Sequence, residues 1–230
     1  MLKQSILIVD DDPDILEVLE VYLTNEDFDV TTAKDGIEAL GKLSESHQLI
    51  LLDVMMPKMD GLRTCIEIRK KCNIPIIFLT AKVQDTDQIL GLQVGADDYI
   101  KKPFTPPLLL AKIKATLRRY QQLGSTAITN QKIIQIGDLQ IDERAYKVTI
   151  NKKDVQFTKT EFEILLLLAK YRGQIFSIQR IYESVWGEDY YEDSANTVMV
   201  HIKRLRKKLN TYAIHQDMIQ TVWGVGYKID

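Results

Sequence analysis

Five short apolar runs, each followed by a stretch of helical periodicity, set the limits on how the first 120 residues can fold. The runs are Ile6–Val9, Val30–Ala33, Leu49–Leu52, Ile76–Leu79 and Tyr99–Ile100. Between them come patterns such as Ile15-Leu16-Val18-Leu19-Tyr22-Leu23, and Leu108 to Leu117 follows the last. Strands alternating with helices pack as a doubly wound five-stranded parallel sheet with helices on both faces. In such a sheet polar chemistry collects at the carboxyl ends of the strands.

The texture changes after residue 120. Residues 121–131, QQLGSTAITNQ, are polar, lack apolar periodicity and read as a linker. Residues 132–230 then form a second domain of another kind. Short strands are expected at Ile133–Ile136, Leu139–Ile141, Tyr146–Ile150 and Val155–Phe157, and helices near Lys159–Lys170, Ser177–Val185 and Asn196–Leu209. The chain closes with Met218–Trp223, a Gly224-Val225-Gly226 turn and Tyr227–Ile229, a hairpin pattern. Strands, three helices and a terminal hairpin make an α+β winged helix-turn-helix.

Charge separates the two halves. Residues 1–120 carry 15 Lys+Arg against 19 Asp+Glu, and residues 121–230 carry 15 against 13, so a net −2 hides an acidic and a mildly basic half. Cys65 and Cys72 are the only cysteines. Placed on one helix they would lie roughly 10 Å apart, too far for a disulfide, which points to free, buried thiols in a reducing compartment. The amino terminus carries no leader pattern, and no apolar stretch approaches the roughly 20 residues of a membrane span. A soluble, cytoplasmic protein is expected.

Asp10-Asp11-Asp12 directly follows the first strand and Asp53 the third, so the parallel sheet brings their carboxylates to one edge. Crowded carboxylates raise one another's pKa unless a cation offsets them, and an all-oxygen donor set suits Mg²⁺. Thr80 ends the fourth strand, and Lys102, before Pro103, follows the fifth. A hydroxyl and an ammonium there can hold phosphoryl oxygens while an aspartate acts as nucleophile.

DDD, LLDVMMPKMDG, LTA and DDYIKKPF, in this order and spacing, resemble the receiver domain of response regulators. The resemblance implies that Asp53 accepts a phosphoryl group from a sensor histidine kinase. It assigns Mg²⁺ to Asp10, Asp11, Asp53 and the Met55 carbonyl, the phosphoryl oxygens to Lys102, and the switch pair to Thr80 and Tyr99. It also implies a cis Lys102–Pro103 bond. Asp12 is left as a loop acid or helix cap, and Asp60-Gly61 as a turn. The subclass resembled, the OmpR/PhoB-like regulators, forms homodimers through the fourth helix, fifth strand and fifth helix of the receiver. Asp97, Asp98, Lys112, Lys114 and Arg119 match its charge pattern; Gln88 and Leu108 stand where relatives carry a basic residue and a glutamate.

In the second half Val198, Ile202, Leu205 and Leu209 form an inward stripe, and five of the six residues 203–208 are Lys or Arg. Such a helix beside a glycine-containing hairpin suits a phosphate backbone and a groove. Phe157 to Leu165, Val185-Trp186-Gly187, Thr197 to Leu209 and Thr221 to Tyr227 resemble the OmpR/PhoB winged-helix output domain. That likeness implies promoter DNA and RNA polymerase as partners, with Val200 and Arg204 facing bases. His201, Lys203, Arg206, Thr221 and Tyr227 would face phosphates, with Asn196, Thr197, Lys207 and Trp223 beside them. Asp189 to Asp193 matches the loop facing the polymerase. Relatives often carry Arg at position 196, Asp at 199 and Arg at 223, so Trp223 cannot enter a minor groove as a cation does. The variant resembles a Gram-positive group that includes regulators of vancomycin-resistance operons.

Two other classes compete. A phosphohydrolase of the haloacid-dehalogenase type needs Asp-x-Asp, and Met55 occupies the second position. A protein-binding output domain would have no use for the basic helix. The expected protein is a DNA-binding regulator and not a dedicated enzyme.

Overall fold

The computed structural model describes residues 3–81, 94–121, 133–190, 194–212 and 218–230. The chain divides into two compact units, Met1–Leu117 and Arg118–Asp230.

The first unit runs β1 (Gln4–Val9), α1 (Pro13–Asn25), β2 (Phe28–Ala33), α2 (Gly36–Lys42), β3 (His47–Asp53), α3 (Gly61–Arg69), β4 (Ile76–Thr80), β5 (Asp98–Lys101) and α4, whose span Pro106–Gln121 crosses the division. The strands pair in the order β2-β1-β3-β4-β5, all parallel. Helices cover both faces of such a sheet, which is why its central strands are continuous apolar runs instead of alternating ones. Ile6, Ile8, Leu49, Leu51, Ile77 and Leu79 face Leu19, Leu23, Leu109 and Ile113 in one core. The chain turns one way from β1 to β2 and the other way to β3, opening a crevice at the carboxyl ends of β1 and β3.

Local chemistry fixes the helix starts. Asp12 caps α1 by accepting from the Asp14 and Ile15 amides, with Pro13 in the first turn, an arrangement worth about 1 kcal/mol. Asp60 caps α3 by accepting from Arg63 N–H, so the expected turn is also a helix start. Gly61 has no room for a side chain, since a Cβ would sit 2.0 Å from the Asp53 carbonyl oxygen. Residues 82–93, in the stretch between β4 and β5 where a fourth helix is expected, lie outside the described residues, as does most of the expected linker. α3 ends at Arg69, so Cys65 and Cys72 do not share a helix; neither forms a disulfide, and Cys65 is buried while Cys72 is partly exposed.

The second unit contains a four-stranded antiparallel sheet, β6 (Ile133–Ile136), β7 (Leu139–Asp142), β8 (Lys147–Ile150) and β9 (Lys153–Val155). Three helices follow, α5 (Lys159–Lys170), α6 (Ile178–Trp186) and α7 (Ser194–Thr211), then the hairpin β10 (Ile219–Val222) and β11 (Gly226–Ile229). Phe162, Leu165, Tyr182, Trp186, Val198, Ile202, Leu205 and Ile229 share its core. α6 stops at Gly187, whose φ of 69° supplies the left-handed cap. No helix among the described residues is long and apolar enough to cross a membrane.

Candidate functional site

The β1–β3 crevice carries the acids expected there. Asp10 is completely buried and Asp53 nearly so. The Lys102 ammonium sits between them, 2.6 Å from Asp10 Oδ2 and 2.7 Å from Asp53 Oδ1. The other Asp53 oxygen accepts from Met55 N–H at 2.7 Å, and Asp10 Oδ1 accepts from Asp12 N–H at 3.1 Å. The backbone holds the lysine in place, with Lys102 N–H donating to the Thr80 carbonyl at 2.7 Å ahead of a cis Lys102–Pro103 bond. Thr80 and Tyr99 are both buried on the neighbouring strands β4 and β5.

Burial pushes the Asp53 carboxyl above the usual carboxylate range, against the opposing pull of Lys102. Burial also works against the charge on Lys102, but its hydrogen bonds to Asp10 and Asp53 outweigh this and hold its pKa above that of ordinary lysine. The result is a solvent-poor pocket with one cation shared by two carboxylates. Asp11 stays exposed, and among the described residues no three His, Cys, Asp or Glu side chains gather as a metal cluster. Lys102, and not a third carboxylate, bridges the two buried members, Asp10 and Asp53. An additional pair, without a signal in the sequence, ties Lys58 of the β3–α3 loop to Asp35, the cap of α2.

The expected dimer-face charges are placed differently from expectation. Asp97 is fully buried, accepting from Arg69 Nη2 at 2.8 Å and from Ile76 N–H at 3.0 Å. Asp98 and Lys112 are both buried and pair with each other at 2.6 Å. These three are therefore not exposed surface charges: desolvation makes each depend on a partner in its own chain. Lys114 pairs with Glu26 at 2.8 Å on the surface, and Leu108 is exposed. Arg119 lies in the second unit, where it donates to Thr160 Oγ1 at 3.3 Å and meets Glu163 at 3.6 Å. Gln88 lies outside the described residues.

On α7 the inward stripe is as expected, but the outward face is rotated from the expected one. Thr197, Val200 and His201 are buried, His201 against the Trp186 ring. Arg204 places Nη2 2.8 Å from Glu161 Oε1, and Lys208 Nζ lies 2.6 Å from Glu161 Oε2. Glu161 is completely buried at the third position of α5, where it completes a capping box with Thr158. Burial raises the cost of its charge, but Arg204 and Lys208 outweigh that and hold its pKa below the ordinary value. The Thr158-x-x-Glu161 spacing could have placed this acid at a helix start; nothing local shows that two cations of α7 close on it. Arg206 is committed too, donating to the Ile219 carbonyl and Thr221 Oγ1 at 2.7 Å each and lying over the Tyr227 ring. Lys203 and Lys207 are exposed, Asn196 is half-buried, and Trp223 at the hairpin tip is 90% exposed. Residues 191–193 of the Asp189 to Asp193 loop lie outside the described residues.

A switch-point crevice built around an aspartate and a lysine, in a chain that continues into a winged helix, defines a class: receivers coupled to transcription-regulating output domains. Family comparison agrees, with residues 6–114 matching the response regulator receiver domain and residues 152–229 matching the C-terminal domain of transcriptional regulatory proteins. The chain belongs to the two-component response regulators of OmpR/PhoB type, transcriptional regulators with a receiver and a DNA-binding domain and not dedicated enzymes. It is 41% identical over 232 residues, 100% of both chains, to the regulatory protein VanR of Enterococcus faecium. It is 43% identical to the uncharacterized transcriptional regulatory protein YrkP of Bacillus subtilis, covering 97% of this chain and 96% of that one. Among solved structures, the Thermotoga maritima response regulator DrrB, an OmpR/PhoB homolog, is 31% identical with a TM-score of 0.52 and 99% of each chain covered.

Proposed function

We propose that a cytoplasmic sensor histidine kinase domain phosphorylates Asp53, and that phosphorylation promotes receiver dimerisation and sequence-specific promoter binding by the second unit. The observation carrying this reading is the Lys102 bridge, with Nζ 2.6 Å from Asp10 and 2.7 Å from Asp53. One Asp53 oxygen forms a bond to phosphorus as the donor's bond to phosphorus breaks, and Lys102 exchanges its contact with the carboxylate for one with a phosphoryl oxygen. Thr80, at the end of β4, offers a hydroxyl for another phosphoryl oxygen. Asp10, Asp11, Asp53 and the Met55 carbonyl are oxygen donors that fit Mg²⁺, which supplies charge compensation when bound. Leu108, 51% exposed, offers apolar contact for the dimer, where relatives use an ion pair.

Two measurements test the reading. A small acyl phosphate with Mg²⁺ adds one acid-labile phosphoryl group to the chain and none to Asp53→Asn; equal labelling of the variant refutes the assignment. The full chain binds promoter duplex with affinity that falls steeply as salt rises, and Lys203→Ala makes the slope shallower by about one unit. Binding indifferent to salt favours a protein-binding output domain instead.

A further inference from the structure

We infer that Met199 is the side chain of α7 that reads a base, and that the base is thymine, recognised through its 5-methyl group. The inference rests on the DNA-binding reading above and adds which residue selects sequence and by what contact.

At 3.6 residues per turn, Asn196, Met199, Lys203, Lys207 and Asn210 fall on one stripe of α7. This stripe faces solvent: Met199 is 40% exposed, Lys203, Lys207 and Asn210 are exposed, and Asn196 is half-buried. The neighbouring positions are occupied elsewhere. Val200 and His201 are buried, Arg204 is held by Glu161, and Arg206 is held by the Ile219 carbonyl and Thr221. A major groove entered by α7 therefore meets Met199 with Lys203 one turn further on.

The chemistry of the stripe divides the work. Lys203 and Lys207 are flexible point charges, suited to phosphates and indifferent to the base sequence. Met199 is the large apolar side chain among them. It is unbranched, polarisable and able to fill an irregular surface, and it gains only where water is expelled from an apolar partner. Of the four bases seen from the major groove, only thymine presents a methyl group. A methionine beside lysines on the outward face of a basic helix is matched to that feature.

Selection from random sequence supplies the target for the test. Duplexes are enriched from a random pool on the full chain, and each dT of the recovered sequence is replaced singly by dU, which lacks the methyl. One replacement per half-site weakens binding about fourfold, the equivalent of ~0.8 kcal/mol for one buried methyl. Met199→Ala loses this sensitivity and enriches duplexes without the thymine preference, while its salt slope is unchanged; Met199→Leu retains the sensitivity. Tolerance of every dU, or full dU sensitivity in Met199→Ala, overturns the inference and leaves DNA binding intact. Failure to enrich any duplex, or enrichment indifferent to salt, overturns the DNA-binding reading and the role of Met199 with it.

Discussion

The Arg204 guanidinium lies 2.8 Å from Glu161, a carboxylate with no exposed surface, so this arginine of the basic helix points into the second unit and not out of it. Lys208 closes the other oxygen at 2.6 Å. A buried acid held in this way is weak as a net stabiliser but expensive to leave unpaired.

Arg204→Ala is accordingly expected to destabilise the second unit by ~3 kcal/mol, the scale for breaking a buried pair. Urea unfolding followed through buried Trp186 reads this directly. Unchanged stability with altered base preference would instead make Arg204 a base contact.

The same pair predicts a pH dependence. Glu161 is held below its ordinary value of 4.5 by Arg204 and Lys208. Its contribution is complete above pH 4.5 and is lost as pH falls through the lower folded value. The stability gap between the parent and Glu161→Gln therefore narrows in acid, as measured by unfolding at a series of pH values. A gap that stays constant down to about pH 2–3, well below the reference carboxylate pKa, contradicts the assignment.

At the phosphoacceptor, burial places the Asp53 pKa above 3.8 while Lys102 pulls it down. Carbon-detected titration in metal-free buffer should find the carboxyl above the ordinary aspartate range. Lys102→Ala should move it higher still, since the opposing cation is gone. A downward move would show that Lys102 does not contact the ionised carboxylate. The sign for stability follows: the part of folding stability linked to Asp53 is complete below pH 3.8 and declines as pH rises through the raised value.

Asp97 and Arg69 give a prediction about folding instead of assembly. Arg69 also donates to the Gly95 and Ile74 carbonyls at 2.9 and 2.6 Å, joining α3 to the β4 and β5 ends. Asp97→Ala is expected to cost the receiver about 3–5 kcal/mol by leaving a buried guanidinium unpaired. Thermal unfolding of the unphosphorylated protein checks it. Normal stability with impaired dimerisation would return Asp97 to the surface role.

Gly61→Ala probes the floor of the crevice. Its Cβ would fall 2.0 Å from the Asp53 carbonyl oxygen, a rigid neighbour. The strain expected is ~1–3 kcal/mol, together with slower acyl phosphate labelling as the β3 end shifts. Labelling at the parental rate with parental stability would show that the loop can yield.

Local pattern was enough for the parallel sheet, the winged-helix elements and the edge where Asp10, Asp53, Thr80 and Lys102 meet. Apolar runs and period-3.6 stripes are local, and a parallel sheet puts every strand end of one sense on one side. Asp10 and Asp53 could therefore be brought together from their places after β1 and β3 alone. Which charges are exposed was settled by packing. Asp97, Asp98, Lys112 and Arg204 look like surface residues in a linear reading, because nothing within a few positions reveals Arg69, Lys112, Asp98 or Glu161 as their partners. These partners are 28, 14, 14 and 43 residues away in the chain. Burial makes such a pair obligatory, since either charge alone would be too costly to desolvate, and only the packed core determines burial. For the same reason the outward face of α7 lies less than half a turn from where the linear pattern puts it, at Met199 and Lys203 instead of Val200 and Arg204. Helical periodicity shows that an amphipathic helix has an outer face; the partners on α5 and the hairpin fix where that face ends.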